Sequence, residues 1–164
     1  MATTRVKRTF AIYRQEGKEG VIVDKTDAVG EAASQDYKIG APLEYTAGTI
    51  EALATGGADT GKVIGIAVKD ATGTTGASVP YYEANDYTLF EGTLVDDTGD
   101  HVLAVANLGT AYGILDSGDS WYVDVNNTGQ KKAVIVGCID PIGDTNARVI
   151  FRFIGSMQGR VLQS

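Results

Sequence analysis

Residues 111–139, AYGILDSGDSWYVDVNNTGQKKAVIVGCI, contain three short runs rich in valine, isoleucine and tyrosine. The clusters SGD and NNTGQ separate these runs and are typical of tight turns. Side chains of this type favour a pleated, half-buried surface. The stretch therefore predicts β-strands over 111–116, 120–125 and 132–139, and we expect the second and third to pair as a hairpin.

The same alternation of short apolar runs and turn clusters continues over most of the chain. Clusters such as DATGTTG, DDTGD and PIGDTN separate the runs, and no amphipathic pattern of helical length occurs. This organisation predicts an all-β fold, a compact β-barrel or β-sandwich with Gly/Asp-rich turns. The other predicted strands are 19–24, 43–45, 49–54, 62–68, 78–83, 87–90, 93–95, 101–106 and 147–154.

The length of 164 residues indicates a single β domain, which we place at 38–164. Residues 1–37 are predicted to form an N-terminal arm and the first strands. Within them, VKRTFAIYR, residues 6–14, is interpreted either as an extended arm or as an edge strand.

Charge is distributed unevenly along the chain, whose net charge is −7. Residues 1–14 carry basic side chains and no acid, whereas 39–130 carry two basic and thirteen acidic side chains. An acidic body repels the phosphates of nucleic acid, so we expect no nucleic-acid partner. No apolar run approaches the roughly 20 residues of a membrane helix, so no membrane partner is predicted.

Cysteine usage and the N-terminus indicate a reducing cytoplasm. The N-terminus lacks the apolar core of a signal peptide. The single Cys138 excludes an internal disulfide, and its apolar run AVIVGCI indicates a buried thiol.

One motif suggests nucleotide binding. GGADTGKV, residues 56–63, departs from the phosphate-binding pattern G-x-x-x-x-G-K-[ST] only at Val63. A phosphate-binding loop needs a hydroxyl there for magnesium, and a helix that begins at the same point. Val63 has no hydroxyl and VIGIAVKD has the pattern of a strand, so we interpret the stretch as a hairpin turn.

The only histidine, His101, lies beside three carboxylates, Asp96, Asp97 and Asp100. Carboxylates suit a hard cation such as calcium, but these lack the alternating spacing of a calcium loop, and a polar turn is the better interpretation. No nucleophile motif accompanies His101. The sequence therefore predicts no catalytic residue, no cofactor and no metal site.

Four stretches between residues 38 and 154 share a distinctive order of strands and turns. They are KIGAPLEYTAGTIEALATGGADTGKVIGIAVKDATG, VPYYEANDYTLFEG with its F-E-G turn, GTAYGILDSGDSWYVDV, and VGCIDPIGDTNARVIFRFI. In this order the chain resembles the small head decoration, or capsid cement, proteins of tailed bacteriophages. The motifs are structural turns and carry no chemical signature.

The resemblance implies a non-enzymatic virion protein, made in the cytoplasm of a bacterial host. Proteins of this kind bind the outer surface of the expanded capsid as trimers at three-fold and quasi-three-fold positions. There they bridge and stabilise subunits of the major capsid protein. The expected partners are thus the major capsid protein and further copies of this chain.

Two sets of residues are candidates for these contacts. Basic and apolar side chains alternate in the N-terminal arm, which suits strand addition to a capsid protein or a neighbouring protomer; the alternative is an ordinary first strand of the barrel. The arm residues are Arg5, Lys7, Arg8, Phe10, Ile12, Tyr13 and Arg14. The residues predicted to form core or trimer contacts are Trp121, Tyr122, Phe151 and Phe153.

Other functions fit an all-β chain of this size. A tail-tube or head-fibre protein is a second virion component to consider. A trimeric dUTPase-like nucleotide hydrolase would need an Asp-Tyr-Gly segment and a phosphate-covering tail, which GSMQGRVLQS does not resemble. A carbohydrate-binding β-sandwich is suggested by Tyr81, Tyr82 and Trp121.

Overall fold

The computed structural model describes residues 1–13, 20–26, 29–55, 63–97 and 99–154. Within these ranges the regular structure is almost entirely β, which confirms the predicted all-β fold. No helix in the described part of the chain is long and apolar enough to cross a membrane. The strands are β1 (Ala11–Ile12), β2 (Ile22–Lys25), β3 (Pro42–Thr46), β4 (Thr49–Ala52), β5 (Val63–Ala67), β6 (Val79–Glu83), β7 (Phe90–Asp96), β8 (Gly99–Asp100), β9 (Ala111–Asp116), β10 (Trp121–Asp124), β11 (Ala133–Cys138) and β12 (Arg148–Phe153).

Five strands of the C-terminal half close into a barrel. The order β7–β10–β9–β11–β12 returns to β7, because β12 also pairs with β7. Every neighbouring pair is antiparallel except β7 and β10, which are parallel. Closure satisfies the strand edges and makes this half of the chain a barrel. Two short strands, β1 and β8, pair with β7 outside this ring.

The N-terminal half forms a second, five-stranded antiparallel sheet in the order β2–β6–β5–β3–β4. Every residue of the central strand β5 is buried, as its unbroken apolar sequence VIGIA indicates. β3 and β4 form a two-residue hairpin in which Ala47 and Gly48 both have positive φ. Such turns match the natural twist of the paired strands.

The buried side chains of the two sheets form one continuous core. All four phenylalanines of the sequence meet in it, with ring centroids of contacting pairs 4.8 to 6.1 Å apart. Of the residues predicted to form core or trimer contacts, Trp121, Phe151 and Phe153 lie in this core. Tyr122 is half-buried and pairs with Leu115 of β9.

One local prediction is wrong because it concerns which strands are neighbours. β10 and β11 do not form a hairpin, since β9 lies between them and pairs with both. The hairpin is instead β9–β10, closed by a turn in which the Ser117 amide donates to the Ser120 carbonyl at 2.9 Å. Turn residues mark where a strand ends but leave its partner undetermined.

The F-E-G turn is also absent, because Phe90–Gly92 lies inside the continuous strand β7. Gly92 is required there by packing: a Cβ at this position would lie 2.5 Å from the ring of Phe10. The glycine therefore makes room for an aromatic ring within a strand.

The predicted strand over 101–106 is wrong as well. Val102 makes one isolated bridge to Thr145, and Val105–Asn107 forms a 3-10 turn. The turn is held by Asn107, whose Oδ1 accepts a hydrogen bond from the Ala104 amide at 2.8 Å. A side chain that satisfies local backbone groups competes with strand pairing.

Candidate partner-binding surface

The N-terminal segment, defined here as residues 1–13, lies along its own barrel. The Arg5 amide donates to the Thr145 carbonyl and the Thr145 amide donates to the Thr3 carbonyl, at 2.8 and 2.9 Å. Further along, the Arg8 amide donates to Thr93 Oγ1 at 2.7 Å, and β1 then pairs with Phe90 and Glu91 of β7. Only Ala11 and Ile12 of this segment form a strand, β1, which lies outside the closed ring, and contact of the segment with a capsid protein or a neighbouring protomer stays a prediction.

Two of the basic side chains contact carboxylates of the barrel. Arg5 lies 2.6 Å from Asp144, whose side chain is only 2% exposed. Lys7 lies 3.2 Å from Asp100 and also donates to the Gly99 carbonyl at 3.0 Å. Both side chains are therefore paired with acidic groups that lie far away in the sequence.

These contacts lower the pKa of both carboxyl groups. For Asp144 the first cause is the hydrogen bond from the Thr3 amide, at 2.8 Å, and the second is the one from Arg5. For Asp100 the hydrogen bond from Asn146 Nδ2, at 3.0 Å, comes first and the contact with Lys7 second. Each carboxylate thus holds the segment best in its charged form.

Two apolar residues of the segment, Phe10 and Ile12, also face inward. Phe10 is 1% exposed, and its ring centroid lies 4.8 Å from that of Phe151. Ile12 is half-buried and packs against the core. The Tyr13 amide donates to the Leu89 carbonyl at 2.9 Å, and the predicted contact residue Arg14 lies outside the described residues.

The opposite side of the segment is left to solvent. Exposure alternates along the chain, so that Thr4, Val6 and Arg8 are exposed while Arg5 and Lys7 are partly covered. This period of two is that of an extended strand lying on a surface. Of the six predicted arm residues that the structure describes, Arg8 is the exposed one, and Val6, which the prediction omitted, is 81% exposed.

The other candidate sites are placed as follows. Among the described residues, no group of three histidine, cysteine, aspartate or glutamate side chains is arranged to hold a metal ion. His101 Nε2 lies 3.3 Å from Asn107 Oδ1. The glycine-rich stretch 56–62 lies outside the described residues, and Val63 begins strand β5 as predicted.

The aromatic platform suggested for carbohydrate binding does not form as a surface. Tyr81 and Trp121 are 4% and 3% exposed and belong to the core, which leaves only Tyr82 of the three partly exposed. The tyrosine that is open to solvent is Tyr87, at 91% exposure. Its turn is held by Asn85, whose Oδ1 accepts bonds from the amides of Tyr87 and Thr88.

Sequence reasoning missed two features of this surface. Asp144 was not a candidate, because its partner Arg5 is 139 residues away and no local pattern links them. The apolar residues between 102 and 106 were assigned to a strand, which concealed how many of them are exposed. Comparison of the chain with protein-family models and with curated proteins found no match.

Proposed function

We propose that this protein is a non-enzymatic structural component of a tailed-phage virion. It binds the outer surface of the expanded capsid, as a trimer at three-fold and quasi-three-fold positions, and bridges subunits of the major capsid protein. The observation that carries this proposal is the ordered set of sequence motifs between residues 38 and 154, of which the F-E-G segment lies in strand β7 and not in a turn. Neither nucleic acid nor a membrane is a partner in this proposal.

The physical character of the chain supports the proposal. A closed barrel is stiff, and its paired edges discourage uncontrolled strand addition between many crowded copies. A net charge of −7 keeps a high-copy surface protein soluble and away from packaged DNA. Many individually weak contacts on one lattice act together through multivalency.

The structure suggests which side of the N-terminal segment would meet the capsid. Arg5, Lys7 and Phe10 contact the barrel, so a partner meets the outward residues Val6 and Arg8. An exposed aliphatic beside an exposed arginine suits a protein partner, since arginine is enriched at such interfaces. Deletion of the segment would remove Phe10 from the core, so single outward substitutions are the sharper test.

The experiment is co-sedimentation with expanded, undecorated phage heads, with bound copies counted per capsid subunit. We expect saturation near one copy per capsid subunit. Arg8→Ala and Val6→Asp should weaken binding by about tenfold or more, as the loss of central contact residues does. Arg152→Ala and Val21→Asp are matched controls, because they remove exposed residues of the same types elsewhere on the protein.

The outcomes separate the alternatives. Absence of saturable binding by a folded protein to intact heads would overturn the proposal, and ring-shaped assemblies would favour a tail-tube protein instead. Equal loss of binding in the Arg8 and Arg152 variants would mean that the exposed side of the segment has no special role in binding, although the protein still binds the capsid. Turnover of dUTP by the purified protein would contradict a non-enzymatic role.

A further inference from the structure

The connection between β8 and β9 exposes an unusual run of apolar residues. From Val102 to Leu108 the sequence is VLAVANL, without a charged residue, in a chain that is 21% charged. Leu103 and Asn107 are buried, and the other five residues are exposed. Val105 is 70% exposed and Val102 is 53% exposed.

This connection is held firmly at both ends. The Leu103 amide donates to the Asp144 carbonyl at 2.9 Å, and the Gly143 amide donates to the Leu103 carbonyl at 2.8 Å. Asn107 is the second anchor, because its Nδ2 donates to the Tyr112 hydroxyl at 2.9 Å within the buried part of the barrel. The exposed side chains between these anchors are therefore presented on a fixed backbone.

Two other segments of the same chain are tied to this connection by backbone hydrogen bonds. Gly143, paired with Leu103, follows Ile142, which is 44% exposed. The Gly109 amide donates to the Ile135 carbonyl at 2.7 Å, next to Val136, which is 47% exposed. We call the exposed residues of these connected segments the apolar patch, and its large members are Val102, Val105, Leu108, Val136 and Ile142.

Leaving exposed apolar residues of this kind in water is energetically unfavourable for an isolated protein. Single exposed aliphatic residues are ordinary, but contiguous apolar patches of a few hundred Å² in soluble proteins usually mark an interaction site. Anchored backbone lowers the entropy lost when such a surface is covered. Both arguments indicate that the patch is covered by another protein surface.

We infer that the apolar patch is the face on which copies of this chain meet. Each copy carries a net charge of −7, so two copies repel unless the meeting surfaces are free of acidic groups. The large members of the apolar patch carry no charge, so association through this face adds no acidic groups to the contact and buries apolar surface. A capsid partner of complementary charge would not require a charge-free surface.

This inference rests on the proposed function, which includes a homo-oligomer, and it names the surface through which the copies contact one another. Exposed alanines at 104 and 106 lie among the large side chains, so a partner backbone can approach closely. A stable interface buries about 800 Å² per partner, which requires the apolar patch together with its polar rim.

The test is sedimentation equilibrium of the full chain over a wide range of protein concentration. We expect the wild type to self-associate, and to do so more strongly as salt is raised from about 0.05 M to about 0.5 M, because screening weakens repulsion between the acidic copies. Val105→Asp should raise the dissociation constant about thirtyfold, the effect of losing a central interface residue. Val21→Asp adds the same charge at an exposed valine on the other sheet and should leave the constant unchanged.

Near-ultraviolet circular dichroism and thermal unfolding check that both variants remain folded. A wild type that stays monomeric at every concentration and salt overturns the inference, as does a Val105→Asp variant that associates like the wild type. Dissociation by Val21→Asp alone would place the interface on the other sheet. Head binding is scored separately. A monomer that still saturates heads refutes this inference and the trimer in the proposed function, but leaves capsid binding standing. An oligomer that fails to bind heads refutes the proposed function and leaves this inference standing.

Discussion

Replacement of Phe10 by alanine is the most direct test of the N-terminal segment as part of the folded barrel. The ring is 1% exposed, contacts the Phe151 and Phe153 rings at centroid distances of 4.8 and 6.1 Å, and packs against the backbone of Gly92. Loss of its burial costs about 2–3 kcal/mol. The cavity and the lost ring contacts raise the expected cost to about 4 kcal/mol, within the range measured for buried phenylalanines.

Such a loss is large compared with the roughly 5–15 kcal/mol that stabilises a typical domain. Urea denaturation followed by tryptophan fluorescence measures it through Trp121, which lies in the same core. We expect a lower midpoint, and a fall in melting temperature of about 8–16 °C for a chain of this size. Val6→Ala, at an 81% exposed position of the same segment, should change the free energy of unfolding by less than about 0.5 kcal/mol.

The reasoning is refuted if Phe10→Ala unfolds within about 1 kcal/mol of the wild type, below the usual cost of emptying a core site. The ring would then contribute little to the core, and the segment would be free to leave the barrel. A result near 4 kcal/mol would instead mean that any partner must bind the segment where it lies.

Three further predictions concern other parts of the structure. The pKa of Asp144 is lowered on folding, so its contacts stabilise the protein above the pKa of an unfolded aspartate, and this stabilisation is lost as pH falls through the folded value. In Asp144→Asn, the free energy of unfolding should therefore fall less steeply as pH is lowered below about 5. Gly65→Ala should lower the free energy of unfolding in urea by about 1–3 kcal/mol, because the new Cβ would lie 2.0 Å from a backbone carbonyl oxygen. In the control Gly129→Ala the new Cβ would have no atom within 4 Å, so this change should be nearly neutral. Glu31→Gln should cost about 1–3 kcal/mol and speed amide exchange at Thr72, since the buried carboxylate accepts hydrogen bonds from that amide.

The positions of most strands were predictable because they depend on local chemistry. Val63–Ala67 and Ala111–Asp116 are strands where the apolar runs indicated them, and the turn between Asp116 and Trp121 ends one and begins the next. The rejection of a phosphate-binding loop depended on the same local property, since the residues after Val63 favour a strand. These features need no information from distant parts of the chain.

The candidate partner surface was predictable only in part. The sequence showed that basic and apolar residues alternate before residue 14, but either face of an extended strand can point outward. Contact with Asp144 and Asp100 turned Arg5 and Lys7 toward the barrel. Because the side-chain period of a strand is two, that choice determined that Val6 and Arg8 face solvent.

By itself, then, the sequence determined the all-β class, the approximate limits of most strands and the acidic character of the body. Only the tertiary structure decided that β9 lies between β10 and β11, that β12 closes the barrel on β7, and that residues 1–13 lie along the outside of the barrel. The physical reason is that backbone propensity acts over a few neighbouring residues, whereas strand pairing is selected by burial of a shared core. Phe10, Phe90 and Phe151 must be brought together from positions up to 141 residues apart, and no local pattern records that contact.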